Sequence, residues 1–159
     1  MNSFSVVFNS KFGDGAENNN KTYHFDWGIF EDCLYEVETR LVIETMAYGA
    51  SPTYQYKLPL LYCDFGSQVR TYTTGATNSA IKPSLTLIAP IGFDYGNNYL
   101  RGVSKDNCPL LVMRRPNNQN PNVLILDNDG LPYVPPTGSF GSAVVPDYIL
   151  IFSFKKVAP

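Results

Sequence analysis

Hydrophobic and polar positions alternate strictly along residues 35–45. The two alternating sets are Tyr35, Val37, Thr39, Leu41 and Ile43, and Glu36, Glu38, Arg40, Val42 and Glu44. Because successive side chains of an extended strand point to opposite faces of a sheet, this pattern predicts a half-buried β-strand.

Residues 22–27 show the same alternation over a shorter length. Tyr23, Phe25 and Trp27 fall on one face, and polar residues fall on the other. The pattern predicts a second strand, which carries the only tryptophan of the chain into the core.

Further short apolar runs bring the prediction to about eight strands. They are residues 4–8, 54–65, 84–89, 110–113, 123–126 and 148–154, with a short polar strand at 69–74 and a short run at 99–103. Pro59 cannot donate a ladder hydrogen bond, so the strand at 54–65 is expected at a sheet edge or with a bulge. The runs at 110–113 and 123–126, both apolar on both faces, flank an Asn-rich segment and predict a hairpin. Large apolar side chains on both faces of 148–154 predict a central strand that is covered on both sides.

Many short strands between Gly- and Pro-rich turns determine the predicted fold class. We expect an all-β antiparallel sandwich of two sheets, formed by residues 1–159 as a single domain. Connections of unequal length suit Greek-key crossings, which makes a jelly roll the first choice. An immunoglobulin-like sandwich is the alternative, although the chain lacks the Cys, Trp, Cys spacing of that fold. A single helical turn is expected near residues 30–33.

Composition and charge narrow the classes of function. With 159 residues, 44% of them hydrophobic, the chain is long enough to form one core. A net charge of −2 provides no general attraction for a phosphate backbone, so no nucleic acid is expected as a partner. The sequence has neither an apolar run of membrane-spanning length nor the layout of a signal peptide. We therefore expect neither membrane insertion nor secretion, and we expect the chain to be synthesised in the cytoplasm.

Catalytic and metal-binding patterns are absent from the sequence. His24 is the only histidine, and its outward phase in an alternating strand accounts for it. Phosphate loops, nucleophile elbows and zinc-protease motifs are missing. Cys33, Cys63 and Cys108 are odd in number and widely spaced, which predicts free thiols. We therefore expect no enzyme activity, no cofactor and no metal.

Two acidic segments have alternative interpretations. Residues 127–130 read Asp-Asn-Asp-Gly, like the first half of a calcium loop, but the twelfth position of that loop would be Gly138. The segment instead predicts a turn that is closed by hydrogen bonds to aspartate. The glutamates at 36, 38 and 44 predict a solvated or partner-facing surface in preference to a pair of glycosidase acids.

Exposed loop residues are the remaining functional signal. Tyrosine can stack on a sugar or anchor a protein interface, because its body is apolar and its tip polar. The loops at 11–20 and 127–146 are expected to order against partners, and a sheet edge could accept an extended segment of a partner. The residues expected to contact partners are Lys11, Phe12, Asn18, Tyr48, Tyr54, Tyr95, Tyr99, Asn118, Asp129 and Tyr133.

A resemblance adds to this interpretation. The stretch Lys21-Thr22-Tyr23-His24-Phe25-Asp26-Trp27, followed by Leu34-Tyr35-Glu36-Val37-Glu38-Thr39, resembles the opening of small single-jelly-roll proteins of large icosahedral double-stranded DNA viruses. The apolar run at 148–154 resembles the closing strand of those proteins. The resemblance implies a minor capsid or capsid-associated protein, of penton or cement type, that contacts other capsid proteins. It transfers no catalytic residue to this chain.

The leading hypothesis is a non-enzymatic structural protein of the virion capsid, made in the host cytoplasm. Its partners would be other capsid proteins, in a homo-oligomer or a larger assembly. The alternative is a carbohydrate- or receptor-binding, lectin-like sandwich module that uses Tyr, Asn and Asp side chains in a loop cleft. A hydrolase that depends on His24, or on the glutamates at 36 and 38, ranks last.

Overall fold

Ten β-strands form the framework of the computed structural model, which describes residues 2–43, 57–66, 85–94, 99–108, 110–135 and 144–158. The strands are β1 (Ser3–Asn9), β2 (Asn20–Thr22), β3 (Leu34–Ile43), β4 (Leu60–Asp64), β5 (Leu85–Pro90), β6 (Gly92–Asp94), β7 (Tyr99–Gly102), β8 (Leu111–Arg114), β9 (Asn122–Leu126) and β10 (Tyr148–Lys156). Helical structure within the described ranges is limited to 3-10 turns at Ser10–Phe12, Trp27–Ile29 and Lys105–Asn107.

Eight of these strands form two antiparallel sheets that pack face to face. Sheet A has the order β1-β10-β3-β8 and sheet B the order β2-β9-β4-β5, while β6 and β7 form a separate hairpin. Counted among the described strands, the first sandwich strand pairs with the eighth, the second with the seventh, the third with the sixth and the fourth with the fifth. A long antiparallel hairpin wrapped around a barrel has this order, so the sandwich is a jelly roll. The predicted fold class is confirmed.

β3 is the strand that the alternation at residues 35–45 predicts. The side chain is buried at every second position from Tyr35 to Ile43, and Val37 has 0% of its surface exposed. The other set points to the opposite side of sheet A. Residues 44 and 45 lie outside the described ranges, so the confirmed strand ends at Ile43.

β10 occupies the centre of sheet A, between β1 and β3, as its sequence predicts. The inward side chains of Leu150, Phe152 and Phe154 are buried. On the other side, Ile149 is 40% exposed and Ile151 is only half-buried. The prediction that β10 is covered on both sides is therefore wrong, because no described element packs over the outer side of sheet A.

Residues 22–27 are extended, but the strand ends sooner than predicted. β2 stops at Thr22, and the N–H groups of Tyr23 and Phe25 then donate to the carbonyl groups of residues 121 and 119 at 2.9 Å. These bonds hold the backbone against an irregular segment, so no regular ladder forms. The prediction that the aromatic side chains point to the core and the polar ones to solvent is right, since Tyr23 and Trp27 are buried while His24 is exposed.

A 3-10 turn begins at Trp27 instead of forming at residues 30–33 as predicted. The Asp26 carboxylate accepts the N–H of Gly28 at 2.8 Å, which caps the turn at this earlier position. The Trp27 indole N–H donates to the carbonyl of Asn118 at 3.0 Å. That bond satisfies the single polar group of the buried indole.

β8 and β9 do not form the predicted hairpin. β8 pairs with β3 in sheet A, whereas β9 pairs with β2 and β4 in sheet B. The connection crosses between the sheets, and the N–H groups of Arg115 and Asn117 donate to the carbonyls of Cys33 and Phe65 on the way. Strands that follow each other in sequence pair often but not always. Here each of the two strands pairs with strands that are distant in sequence instead. The prediction of burial on both faces holds for β9 but fails for β8, where Val112 is exposed.

β4 lies inside sheet B, between β9 and β5, and carries a bulge. The register with β5 shifts between Leu61 and Tyr62, so the bulge that was predicted as one alternative is present and the edge position is wrong. Pro59 precedes the strand, where its missing N–H costs no ladder bond, and its carbonyl accepts the N–H of Ile91 at 2.8 Å. The predicted run at 69–74 lies outside the described residues.

Aromatic rings fill much of the core between the sheets. Phe4 stacks on Phe30 with ring centroids 3.5 Å apart and on Phe154 at 4.9 Å, and Phe65 meets Phe152 edge-on at 5.0 Å. Each fully buried large apolar side chain contributes about 1.5–3 kcal/mol before entropy is subtracted. The rings therefore hold sheets A and B together.

A second, smaller hydrophobic cluster lies on the opposite side of sheet B. It contains Tyr62, Leu85, Leu124 and Leu126, which are at most 7% exposed. Their sequence neighbours in β4 and β9 belong to the main core. The central strands of sheet B thus bury side chains on both faces, unlike the strands of sheet A.

Candidate functional site

The outer face of sheet A carries a group of exposed aliphatic side chains. We define the outer face as the side chains of β1, β10, β3 and β8 that point away from the core. Val7, Leu34, Val42, Val112 and Ile149 lie there and are between 40% and 58% exposed. Single exposed aliphatic residues are ordinary, but a group of them on one sheet face is a candidate interaction surface.

The strand registers arrange the outer face in rows. Ile149 of β10 lies beside Val42 of β3, and in the next row Ile151 lies between Val7 of β1 and Arg40 of β3. Three neighbouring strands therefore contribute aliphatic side chains to one end of the face, which we call the apolar end.

The middle of the outer face is polar. Ser153 of β10 lies between Ser5 of β1 and Glu38 of β3, and the two serine hydroxyls are 3.1 Å apart. In the next row Lys155 lies beside Glu36. The small serine side chains leave an open depression of about 400 Å³ among the longer ones.

Loop residues form a rim beside the apolar end. The ammonium of Lys11 lies 3.4 Å from the carboxylate of Asp147, which precedes β10. Asn18 donates to the same carboxylate at 3.0 Å, and this hydrogen bond, together with Lys11, lowers the pKa of Asp147. Lys11 and Asp147 border a depression of about 250 Å³ that reaches Val42 and Ile149. Of the predicted contact residues, Lys11 thus adjoins the outer face, and Asn18 is linked to it through Asp147.

The other predicted contact residues are not brought together. Phe12 is 84% exposed in the turn after β1. Asn118 is half-buried, and its amide donates to the carbonyl of Asp64 at 3.3 Å while its own carbonyl holds Trp27. Asn118 therefore has a structural use within the chain.

Tyr133 corrects the prediction of an exposed aromatic side chain, because it is 2% exposed. Its N–H donates to the carbonyl of Ile125 at 2.9 Å, which draws the segment against β9 and places the ring in the main core. Tyr48, Tyr54 and Tyr95 lie outside the described residues. Only the backbone of Tyr99 is described, in β7.

The acidic turn at residues 127–130 has the predicted structure. One oxygen of the buried Asp127 carboxylate accepts the N–H groups of Asp129 at 2.8 Å and Leu131 at 3.0 Å, and Gly130 has a φ of +78°. Lys57 places its ammonium 3.0 Å from Asp127 and 2.8 Å from Asp129. These two carboxylates raise the pKa of Lys57, and its ammonium supplies the positive charge between them.

His24 links two loops at the surface. Its Nε2 lies 2.8 Å from the Asp14 carboxylate and its Nδ1 lies 2.6 Å from the side-chain oxygen of Asn120. Both ring nitrogens therefore face acceptors, which suits the doubly protonated ring, and the bonds to Asp14 and then Asn120 raise the pKa of His24. Neither neighbour is a hydroxyl or a thiol.

None of the three cysteines forms a disulfide, and the Cys108 thiol donates to the carbonyl of Ile88 at 3.7 Å. Burial raises the pKa of the Cys63 thiol well above its ordinary value and raises that of Cys108 as well. Within the ranges that the structure describes, no three histidine, cysteine, aspartate or glutamate side chains converge as metal ligands. None of the helical turns found there has the length and apolar character needed to span a membrane.

The aliphatic residues of the outer face were missed as functional candidates in the sequence. Their signal is present: Val42 is the one apolar member of the polar set in residues 35–45, and Ile149 and Ile151 share the outward phase of β10. Only the pairing of β10 with β3 shows that these positions are neighbours. Glu36 and Glu38 also point outward from β3, as expected for a solvated or partner-facing surface, and whether a partner binds them stays a prediction.

Comparison of the chain with protein-family models, with curated proteins and with solved structures finds no match. The resemblance to viral single-jelly-roll proteins stays a prediction from the sequence.

Proposed function

We propose that this protein is a non-catalytic structural subunit of a larger protein assembly, bound to neighbouring proteins through the outer face of sheet A. The observation that carries the proposal is the group of exposed aliphatic side chains on that face. Covering such a face removes apolar area from water, which contributes about 25 cal/mol for each Å² buried. A rigid sheet also presents the face with little loss of conformational entropy on binding.

The assembly that fits best is a virion, in which the chain serves as a minor capsid, penton-type or cement component. Two observations support this choice. The strand order is that of a jelly roll, a fold that capsid proteins use, although lectin domains and other proteins use it too. The sequence at residues 21–27 and 34–39 resembles viral single-jelly-roll proteins.

The test places the chain in its native particle. An epitope tag is added to the chain in the genome that encodes it, particles are isolated on a density gradient, and cross-linked peptides are identified by mass spectrometry. We expect a fixed ratio of the chain to the most abundant particle protein, and cross-links from Lys11 and Lys155, which border the outer face. Absence of the chain from particles would overturn the proposal, and specific glycan binding by the purified chain would favour the lectin-like alternative.

A matched pair of variants separates the outer face from the rest of the surface. Ile149→Lys introduces a charge at the apolar end, while Leu58→Lys introduces the same charge at a position that is 55% exposed beside sheet B. We expect both chains to fold, and only Ile149→Lys to be lost from particles. Equal incorporation of the two variants would show that the outer face is not the contact surface.

A further inference from the structure

The outward charges of the two central strands of sheet A are balanced. β3 contributes Glu36, Glu38 and Arg40 to the outer face, and β10 contributes Lys155. A surface with two acidic and two basic side chains can complement itself, which a surface of one sign cannot. The balance therefore suggests a partner with the same pattern.

The order of residues along β3 and β10 sharpens this idea. From one end of the face to the other, the rows formed by β10 and β3 are Val157 with Leu34, Lys155 with Glu36, Ser153 with Glu38, Ile151 with Arg40, and Ile149 with Val42. Apolar rows thus lie at both ends, and charged or polar rows lie between them.

We infer that the outer face of sheet A binds a second copy of this chain, about a twofold axis that runs along the strands between β10 and β3. This inference rests on the proposed function and names one partner for the same face. Such an axis places each β10 side chain opposite the β3 residue of its own row in the other copy. Ile149 then faces Val42, and Lys155 faces Glu36, each contact occurring twice.

The alternative twofold axis, at right angles to the strands, gives a poorer match. Placed through the middle row, it would reverse one face along its length. Ile149 and Val42 would then face Val157 and Leu34, but Glu38 would lie opposite Glu38 of the partner, a contact between like charges. Sheets that pack face to face cross at about −30°, and this crossing needs the strand-parallel axis to tilt by only about 15°. Close to the axis, each residue of one copy therefore still lies opposite a residue of the same row in the other copy.

The shape of the outer face agrees with this arrangement. The depression of about 400 Å³ over β1, β10 and β3 is lined by Ser5 and Ser153 and, in the same copy, by Glu36, Glu38 and Lys155. In the second copy, the same row on β3 carries Glu38. The Glu38 side chain of one copy thus lies opposite Ser153 and Ser5 of the other, where one hydroxyl donates to its neighbour and the second is left to donate to the carboxylate.

The area of the face suits a weak dimer. Its four strands have 7, 9, 10 and 4 residues, which at about 3.3 Å per residue and about 4.8 Å between strands cover roughly 480 Å² per copy. Two copies would bury about 950 Å², within the range of weak and transient interfaces. We therefore expect a dissociation constant in the micromolar range, measurable by sedimentation equilibrium.

Charge reversal in the full chain provides the decisive test. Glu36→Lys alone and Lys155→Glu alone each replace two attractive contacts between copies with two repulsive ones, so each dissociation constant should rise about tenfold or more. A mixture of the two variants restores both contacts in a heterodimer. Native mass spectrometry with one variant isotopically labelled should show the heterodimer as clearly more than half of all dimers, the share that random mixing of equal amounts gives.

The controls decide the meaning of each result. Glu17→Lys carries the same reversal on an exposed loop, and its mixture with Lys155→Glu should show no preferred heterodimer. Pairing between Glu36 and Lys155 within one chain cannot favour a heterodimer, so the mixture reports contacts between copies. A wild-type chain that stays monomeric up to about 1 mM, or variants that mix without preference, would overturn the inference. If the face cross-links to other particle proteins and no dimer forms, the inference is overturned and the proposed function is kept. If the chain dimerises but is absent from particles, the proposed function is overturned and the dimer is kept.

Discussion

Sheets A and B differ in how far their outward-facing aliphatic side chains are exposed to solvent. On sheet B, Leu124 and Leu126 are at most 7% exposed, whereas on sheet A Val7 and Val42 are 57% and 46% exposed. Side chains of the same chemical kind are therefore part of a buried cluster on one sheet and accessible on the other. Apolar area covered within the chain stabilises the fold, while exposed apolar area adds stability only when a partner binds it. Measurements on the two outer sides can test this difference directly.

The largest effect is expected in the second cluster on sheet B. Leu126→Ala removes a side chain with 0% exposure and leaves a cavity, so the free energy of unfolding should fall by about 2–5 kcal/mol. Urea unfolding followed by the fluorescence of Trp27 measures it. A loss below about 1 kcal/mol would show that this cluster does not stabilise the fold, and the difference between the sheets would disappear.

A smaller effect is expected at the turn that follows β9 of sheet B. Asp127→Ala leaves the N–H groups of Asp129 and Leu131 without their acceptor, which should lower the free energy of unfolding by about 1–3 kcal/mol. Asp129→Ala removes only the exposed partner of Lys57 and should cost less than about 1 kcal/mol. Equal losses in the two variants would mean that the ion pair, and not the backbone bonds, holds the turn.

Replacement on the outer face of sheet A should hardly change the stability of the monomer. Val7→Thr keeps the branched shape that strands favour and removes one exposed methyl group, so the change should stay within about 0.5 kcal/mol. Urea unfolding at low protein concentration measures it. A loss comparable with that of Leu126→Ala would place Val7 in a buried contact.

The smallest effect concerns pH and His24. The pKa of His24 is raised by Asp14 and Asn120, so the folded state favours the protonated ring. The resulting stabilisation is complete below the unfolded pKa of about 6.5 and is lost as pH rises through the folded pKa. The difference in Tm between the wild type and His24→Gln should therefore be larger at about pH 5.5 than at about pH 8.5. A difference that grows with pH would contradict these contacts.

Local patterns were enough to predict the faces of the strands. The alternation along β3 and the phase of Tyr23 and Trp27 needed no knowledge of distant partners, because a strand shows its two faces in its own sequence. The large apolar residues of β10 likewise indicated its central position.

Pairings between distant residues could not be predicted in the same way. The runs that became β8 and β9 are adjacent in sequence, yet their partners lie in different sheets. Tyr133 was expected at the surface because its segment is rich in turn residues, but pairing with Ile125 buries it. The outer face itself depends on β10 lying beside β3, a contact between residues more than 100 positions apart.

The central place of β10 has a consequence for synthesis on the ribosome. β1 and β3 are translated long before residues 148–156, and sheet A has no strand to join them until those residues emerge. Their hydrogen-bonding edges are exposed to aggregation during that interval, because the contact order of the fold is high. Slowing translation between the codons for β3 and codon 148 should therefore lower the soluble yield of nascent chains.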